Sequence, residues 1–237
     1  MPIFCEIMKK RYLEMILDNL KPHPNPKSNL EQYTMEGKLA SEILFFAKED
    51  ILNNFVIDLG CGTGKLSIGA KLMGANSVIG IDIDEETLNT AQYNLKNLKN
   101  LEIINKLYSN DEITDIVKNI QFIKEDVKNI DMEFISKYKL YENNKEGNKA
   151  KNIIIQNPPF GSQKKYADRI FLEKALELGD IIYTIHNTPT RDFIINYIES
   201  KNRNITNIFQ ADFKISKIYE FHKKKFINVP VDIYRIE

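Results

Sequence analysis

Apolar positions recur at helical spacing over residues 4–20, where Phe4, Ile7, Met8, Tyr12, Met15 and Ile16 share one face and predict an amphipathic helix. The segment Lys21-Pro-His-Pro-Asn-Pro26 ends it, because each proline lacks an amide donor and biases its predecessor away from helix. A second helix is predicted over about 35–49. Beyond it the pattern changes to short apolar runs separated by helical stretches. The runs are Phe55–Leu59, Ser77–Ile81, Gln121–Lys124, Asn152–Gln156 and Ile181–Ile185, with late strands near 205–211 and 226–236. Helices are expected after the glycines that follow Leu59, and over 85–98, 168–178 and 190–200. Strands alternating with helices predict an α/β, Rossmann-like fold: a mostly parallel seven-stranded sheet with helices on both faces. Residues 1–50 then read as a short N-terminal helical extension and 51–237 as the α/β domain. The segments 102–119 and 138–150 read as insertions, the second as a polar loop. Ligands of such a sheet bind beyond the carboxyl ends of the strands, at the topological switch point.

Composition narrows the picture modestly. Hydrophobic residues make up 43% of 237, enough for a continuous core. No stretch approaches ~18 consecutive apolar residues, so no membrane-spanning helix is expected. Residues 1–10 carry charges inside their apolar run and lack the pattern of a secretory signal. Cys5 and Cys61 are too few for a disulfide framework, and no Cys/His cluster has zinc spacing, so no metal site is expected and a cytoplasmic location is. Lys plus Arg equals Asp plus Glu at 33 each, so any nucleic-acid contact must come from local patches. Lys9-Lys10-Arg11, Lys164-Lys165 with Arg169, and Lys223-Lys224-Lys225 are the candidates, each equally readable as solvated surface.

The strongest local signal is Val56-Ile-Asp-Leu-Gly-Cys-Gly-Thr-Gly-Lys65, a buried strand running into Gly60, Gly62 and Gly64 and then a helix. Its G-x-G-x-G spacing is neither the dinucleotide fingerprint nor a P-loop. Asp58 stands at the strand end. Asp82 closes the next strand, where an acidic side chain accepts from the two ribose hydroxyls of an adenosyl group. Asp126 follows the third strand, placed to receive an adenine amine, with the Val127 amide near a ring nitrogen. Asp84 is expected to cap the following helix.

The fourth strand ends in Asn157-Pro158-Pro159-Phe160. Two prolines fix an extended backbone and remove two donors, leaving the Asn157 side-chain oxygen and the Pro158 carbonyl as acceptors. An adenine N6 amine offers two hydrogens to such a pair. Its lone pair is delocalised into the ring, so acceptors on both hydrogens favour a more tetrahedral, more nucleophilic nitrogen and stabilise the positive charge that develops on it. Phe160 offers a stacking face for a base swung out of its stack.

These motifs together carry a family resemblance. Leu30-Glu-Gln-Tyr33, Asp58-Leu-Gly-Cys-Gly-Thr-Gly64, Leu66-Ser-Ile-Gly69, Gly80-Ile-Asp-Ile-Asp84, Asn157-Pro-Pro-Phe-Gly161 and Phe221-His-Lys-Lys-Lys225 resemble the methyltransferase-like protein 5 family, within the class I methyltransferases. The resemblance runs over nearly the whole chain from about residue 28. It implies S-adenosylmethionine as cofactor and N6-methylation of an adenosine in small-subunit ribosomal RNA. It also implies that Gln32 and Met35 lie over the cofactor as a lid, with Gly60, Gly62, Thr63, Gly64, Lys65, Asp82, Asp126 and Val127 beneath and around it. The family usually reads Glu-Gln-Tyr-Pro-Thr in the first motif; Thr34 and Met35 stand here instead, which removes a hydroxyl from position 35. Eukaryotic members work with a small zinc-binding activator protein that covers a sheet edge. Residues 162–166, including Lys164 and Lys165, are expected as a substrate lid. His222 with Lys223, Lys224 and Lys225 is expected to contact phosphate, and His186 to position substrate.

Three rival readings follow from the same residues. A protein glutamine-N5 methyltransferase uses a similar tetrapeptide, typically with Tyr in place of Phe160 and a larger N-terminal helical domain. A DNA adenine-N6 methyltransferase generally carries a separate target-recognition domain. A non-catalytic RNA-binding assembly factor could keep the fold without the chemistry.

Overall fold

A computed structural model describes residues 8–27, 30–139, 147, 149–160, 167–216 and 226–237. The expected lid with Lys164 and Lys165, and the His222, Lys223, Lys224 and Lys225 cluster, lie outside the described residues. In chain order the elements are helices α1 (Lys10–Asp18), α2 (Gly37–Phe46) and α3 (Lys48–Ile51), strand β1 (Phe55–Leu59), α4 (Lys65–Leu72), β2 (Ser77–Asp82), α5 (Glu85–Lys96), α6 (Glu102–Leu107), α7 (Asn110–Lys118), β3 (Ile120–Lys124), α8 (Met132–Ser136), β4 (Asn152–Gln156), α9 (Ala167–Leu178), β5 (Ile181–Asn187), α10 (Arg191–Ser200), β6 (Ile205–Ser216) and β7 (Phe226–Ile236).

The strands form one seven-stranded sheet in the order β3-β2-β1-β4-β5-β7-β6. β1 to β5 are parallel, and β7 runs antiparallel between β5 and β6. This is the Rossmann-like class I methyltransferase fold. β1 and β4 read as continuous apolar runs because both sheet faces are covered. Alternate residues serve opposite layers. Val56, Val78, Ile153, Ile155 and Tyr183 join the core shared with α1, α2 and α4, whereas Phe55, Ile57, Ile79, Ile154 and Ile182 join the core under α9 and α10. The chain leaves β1 towards β2 and β3, then returns to β4 on the other side of β1. A crevice therefore opens beyond the carboxyl ends of β1 and β4.

Two features differ from the sequence reading. The N-terminal helices are built into the same core as the sheet: Leu13, Ile16, Leu17, Leu39, Ala40, Ile43 and Leu44 are buried there. The segment 102–119 is not a peripheral insertion. It folds as α6 and α7; Ile104, Ile113 and Ile116 from the helices and Tyr108 between them enter that core. Ser109 starts α7 with a capping box, its backbone amide donating to Glu112 Oε2 at 2.7 Å. The apolar residues of α7, Ile113, Ile116 and Val117, sit at helical spacing and form its buried face. Of the expected loop 138–150, the described part holds Lys139, whose Nζ donates to Ala150 O at 2.7 Å and Asn152 Oδ1 at 2.9 Å.

Candidate active site

β1 delivers Asp58 and the glycine turn to the crevice. Gly60, Gly62 and Gly64 all adopt positive φ, at 72°, 54° and 81°. Gly64 is doubly constrained, since a Cβ there would also stand 2.6 Å from Phe122 Cζ. The turn is fastened to β2. The Gly60 and Cys61 amides donate to Ile81 O at 2.8 and 3.0 Å, and the Gly62 amide donates to Asp82 Oδ2 at 2.9 Å. Asp82 Oδ1 accepts from the Asp84 amide at 3.0 Å. Burial raises the Asp82 carboxyl above its usual range.

A cavity of about 280 Å³ occupies the crevice. Asp58, Gly60, Gly62, Thr63, Lys65 and Asp82 form one wall, Asp126 and Val127 another, and Gln32 and Met35 the N-terminal side. Gly64 does not reach the cavity and serves as the turn behind it. Asn157 and Pro159 close the remaining side beside α9. Three strand-end acids, the glycine turn, Asn157 and Pro159 thus share one space, although Asp58 and Asn157 are 99 positions apart in sequence; Pro158 is buried behind the lining.

Three side-chain oxygens of residues lining this cavity lack partners, Asp58 Oδ1, Thr87 Oγ1 and Asn157 Oδ1, and two of them belong to expected site residues. Asp58 is 1% exposed; its Oδ2 accepts from Ser67 Oγ at 2.6 Å, and its buried Oδ1 accepts from nothing. Burial pushes its carboxyl up to about 7. The second is Asn157 Oδ1, also buried and unpartnered. Orphaned acceptors in a protein interior are costly. Their position beside a cavity fits a ligand that brings hydrogen-bond donors, and an ammonium group and an amine are such donors.

Among the described residues, His23 and the segment 30–35 line the N-terminal side of the cavity as a strap. Lys27 Nζ and Gln32 Nε2 donate to Asp84 Oδ2 at 2.9 and 2.8 Å. His23 Nδ1 accepts from the Asn25 amide at 3.0 Å, which leaves Nε2, 3.4 Å from Asp84 Oδ2, to carry the proton. Burial alone would raise the Asp84 carboxyl; the Gln32 and Lys27 bonds hold it well below the usual range. Asp84 also caps α5, accepting from the Glu86 amide at 3.2 Å as the sequence predicted. Farther along, Lys65 Nζ donates to the Met35 carbonyl at 2.6 Å, so position 35 is held through its backbone. Burial lowers the Lys65 ammonium below its usual range. Glu31, 8% exposed, adopts φ of 51° and accepts from the Phe160 amide at 2.7 Å. Sequence reasoning did not single out His23, Lys27 or Glu31.

Two expected side chains lie off the cavity. Phe160 is half-buried and meets Phe213 edge-on at 5.6 Å between centroids, in the core under α2. His186 is 2% exposed, with Nε2 2.9 Å from Thr184 Oγ1. That hydroxyl also accepts from Gln156 Nε2 at 2.9 Å, so the imidazole sits in a buried hydrogen-bonded chain. Burial pushes the imidazole down to about 3 and keeps it neutral. His186 therefore braces the base of β4 from within; its strand-end position hid the fact that alternation turns it inward.

Comparison with known proteins agrees with this geometry. The family model for ribosomal protein L11 methyltransferase matches residues 44–166. Curated proteins of that name align over only 50 to 54 residues, about a fifth of either chain. Whole-length similarity lies elsewhere. An uncharacterized protein of Methanocaldococcus jannaschii is 52% identical over 98% of this chain and 95% of its own. The rRNA N(6)-adenosine-methyltransferase METTL5 of Danio rerio is 30% identical over 96% of this chain and 98% of its own. A crystal structure of a candidate RNA methyltransferase from Pyrococcus horikoshii superimposes with TM-score 0.76 at 34% identity, covering 97% of this chain and 98% of that one. The chain belongs to the methyltransferase-like protein 5 family of class I methyltransferases.

Proposed function

We propose that this enzyme transfers a methyl group from S-adenosylmethionine to the N6 amine of an adenosine in small-subunit ribosomal RNA. The observation that carries the reading is Asn157 Oδ1, a buried acceptor without a partner in the same cavity as the glycine turn and Asp82. The whole-length relative named for rRNA adenosine N6-methylation supports the substrate class.

S-adenosylmethionine supplies an electrophilic methyl group when bound. Asp82 would hold its ribose hydroxyls, Asp126 and Val127 its adenine, and the free oxygen of Asp58 its ammonium. Asn157 Oδ1 and the Pro158 carbonyl accept the two hydrogens of the substrate amine and turn its lone pair outward. Pro158 and Pro159 keep the backbone from collapsing onto those acceptors. Fixed acceptors also stabilise positive charge on the nitrogen as it forms, without reorganisation. No strong base is required, because the alkylated nitrogen is acidic. Phe160, packed edge-on against Phe213, anchors the end of the tetrapeptide in the core and does not face the cavity. Lys164, Lys165, His222 and Lys223 to Lys225 contact the RNA, and a small zinc-binding activator covers a sheet edge such as β3. The reaction takes place in the cytoplasm.

Purified protein, with and without an activator, incubated with methyl-labelled cofactor and small ribosomal subunits or their RNA, should yield labelled N6-methyladenosine on nucleoside digestion. Asn157→Ala should lower kcat by about 10²–10³ and leave the cofactor Kd within about three-fold. Label in ribosomal protein, or in another nucleoside, would overturn the assignment.

A further inference from the structure

The tetrapeptide needs a fixed backbone, yet its prolines leave it without amides at positions 158 and 159. The first donor after Asn157 is the Phe160 amide, and it is taken by Glu31 Oε2 at 2.7 Å, across 129 positions of sequence. Glu31 is not held there by local convenience. Its φ of 51° lies in the left-handed region, which a residue with a side chain adopts only under constraint. Its carboxylate is almost fully shielded, with the residue 8% exposed. A neutral amide donating to a shielded carboxylate makes a strong, directional bond. Glu31 also lines the cavity, and the strap on either side of it is anchored independently, through Gln32 and Lys27 to Asp84 and through Met35 to Lys65.

We propose that Glu31 is a positioning residue: it ties the cofactor strap to the catalytic tetrapeptide and sets the placement of the Asn157 and Pro158 acceptors. The inference rests on the adenine-N6 reading for its activity readout, but the bond itself is tested without substrate. Because the strap has its own anchors, losing this bond frees the tetrapeptide more than it frees the cofactor. Misplacing a reacting group by about 1 Å can cost about 10²-fold in rate.

Three variants decide the matter. Glu31→Ala removes the acceptor. Glu31→Gly removes it too, while relieving the left-handed strain, so a loss shared by both is not a loss of folding. Glu31→Gln keeps an acceptor oxygen without the charge. The expected result is a fall in kcat of about 10- to 10²-fold for the alanine and glycine variants, with the cofactor Kd within about three-fold of wild type and kcat substantially restored by glutamine. In the cofactor-free protein, the Phe160 amide should exchange its hydrogen at least about ten-fold faster in the alanine and glycine variants than in wild type, and near the wild-type rate in the glutamine variant. Unchanged kcat in Glu31→Ala and Glu31→Gly, unchanged Phe160 exchange, or a glutamine variant as slow as alanine overturns the proposal. Wild-type protein that modifies no RNA adenine would instead sink the adenine reading, and the exchange measurement would still judge the bond.

Discussion

At the residue scale the site is governed by acceptors that burial has stripped of partners. Asp58 is the sharpest case, because its carboxyl sits near 7 with one oxygen free. The folded pKa lies above the ordinary 3.8, so the folded state holds a proton that the unfolded chain has lost. The cofactor-free protein is therefore expected to lose stability as pH rises from about 4 to about 7. A bound ammonium reverses the preference, since it favours the ionised carboxylate. Cofactor affinity should accordingly tighten between pH 5.5 and 7.0, by up to about ten-fold per unit. Calorimetric titration should show that slope in wild type and a flatter, weaker profile in Asp58→Asn. A wild-type affinity independent of pH would mean that Asp58 meets no cation. Of the residues at the cavity, the sequence revealed those on strand ends, because a strand ending in Asp or Asn at the carboxyl edge has one place to point. It could not reveal Glu31, His23 or Lys27, whose roles depend on a strap folding back across residues 50 to 130 positions away. It misplaced His186 for a related reason: chemistry-bearing side chains on one strand face opposite layers, and only the partners decide which.

At the scale of elements, the sequence exposed β1, β2 and β4 almost to the residue, because parallel strands buried on both faces are nearly unbroken apolar runs, whereas the edge strand β3 is half-exposed. Of the late pair, β7 was found over its full extent and β6 was cut short: it continues to Ser216 as an edge strand whose far half carries no unbroken apolar run. The N-terminal helices were visible as helices but not as core. α1 buries Leu13, Ile16 and Leu17 completely, and Leu17 lies against α4, where a Cβ on Gly69 would come within 3.5 Å of its Cδ2. Leu17→Ala should then destabilise the whole chain by about 2–5 kcal/mol in a single cooperative denaturant transition. A loss under about 1 kcal/mol, or an early transition confined to the first fifty residues, would show that α1 is a separable appendage. The same holds for α6 and α7, whose Ile104, Ile113 and Ile116, with Tyr108 between the two helices, enter the core.

At the scale of the molecule, a formal net charge of zero sets a limit on how this enzyme meets RNA. Long-range attraction to phosphate is weak when positive and negative side chains balance, so association must rely on a few local contacts. Each phosphate contact on single-stranded RNA adds about 0.7 to the dependence of log affinity on log salt. If Lys223, Lys224 and Lys225 are those contacts, replacing all three with glutamine should lower the salt slope by about 2 and weaken binding to every RNA sequence alike. Cofactor affinity should stay within about three-fold, because Asp82, Asp126 and the glycine turn are untouched. The measurement is binding of the enzyme to a small-subunit RNA fragment across about 50–250 mM salt. The same slope in wild type and the triple variant would remove this cluster from the interface. A steep slope surviving in the variant would place the phosphate contacts on another patch, with Lys9, Lys10 and Arg11 next to test. A shallow slope in both would mean that an isolated chain holds RNA chiefly by base contacts at the tetrapeptide, and that a partner must bring the charge.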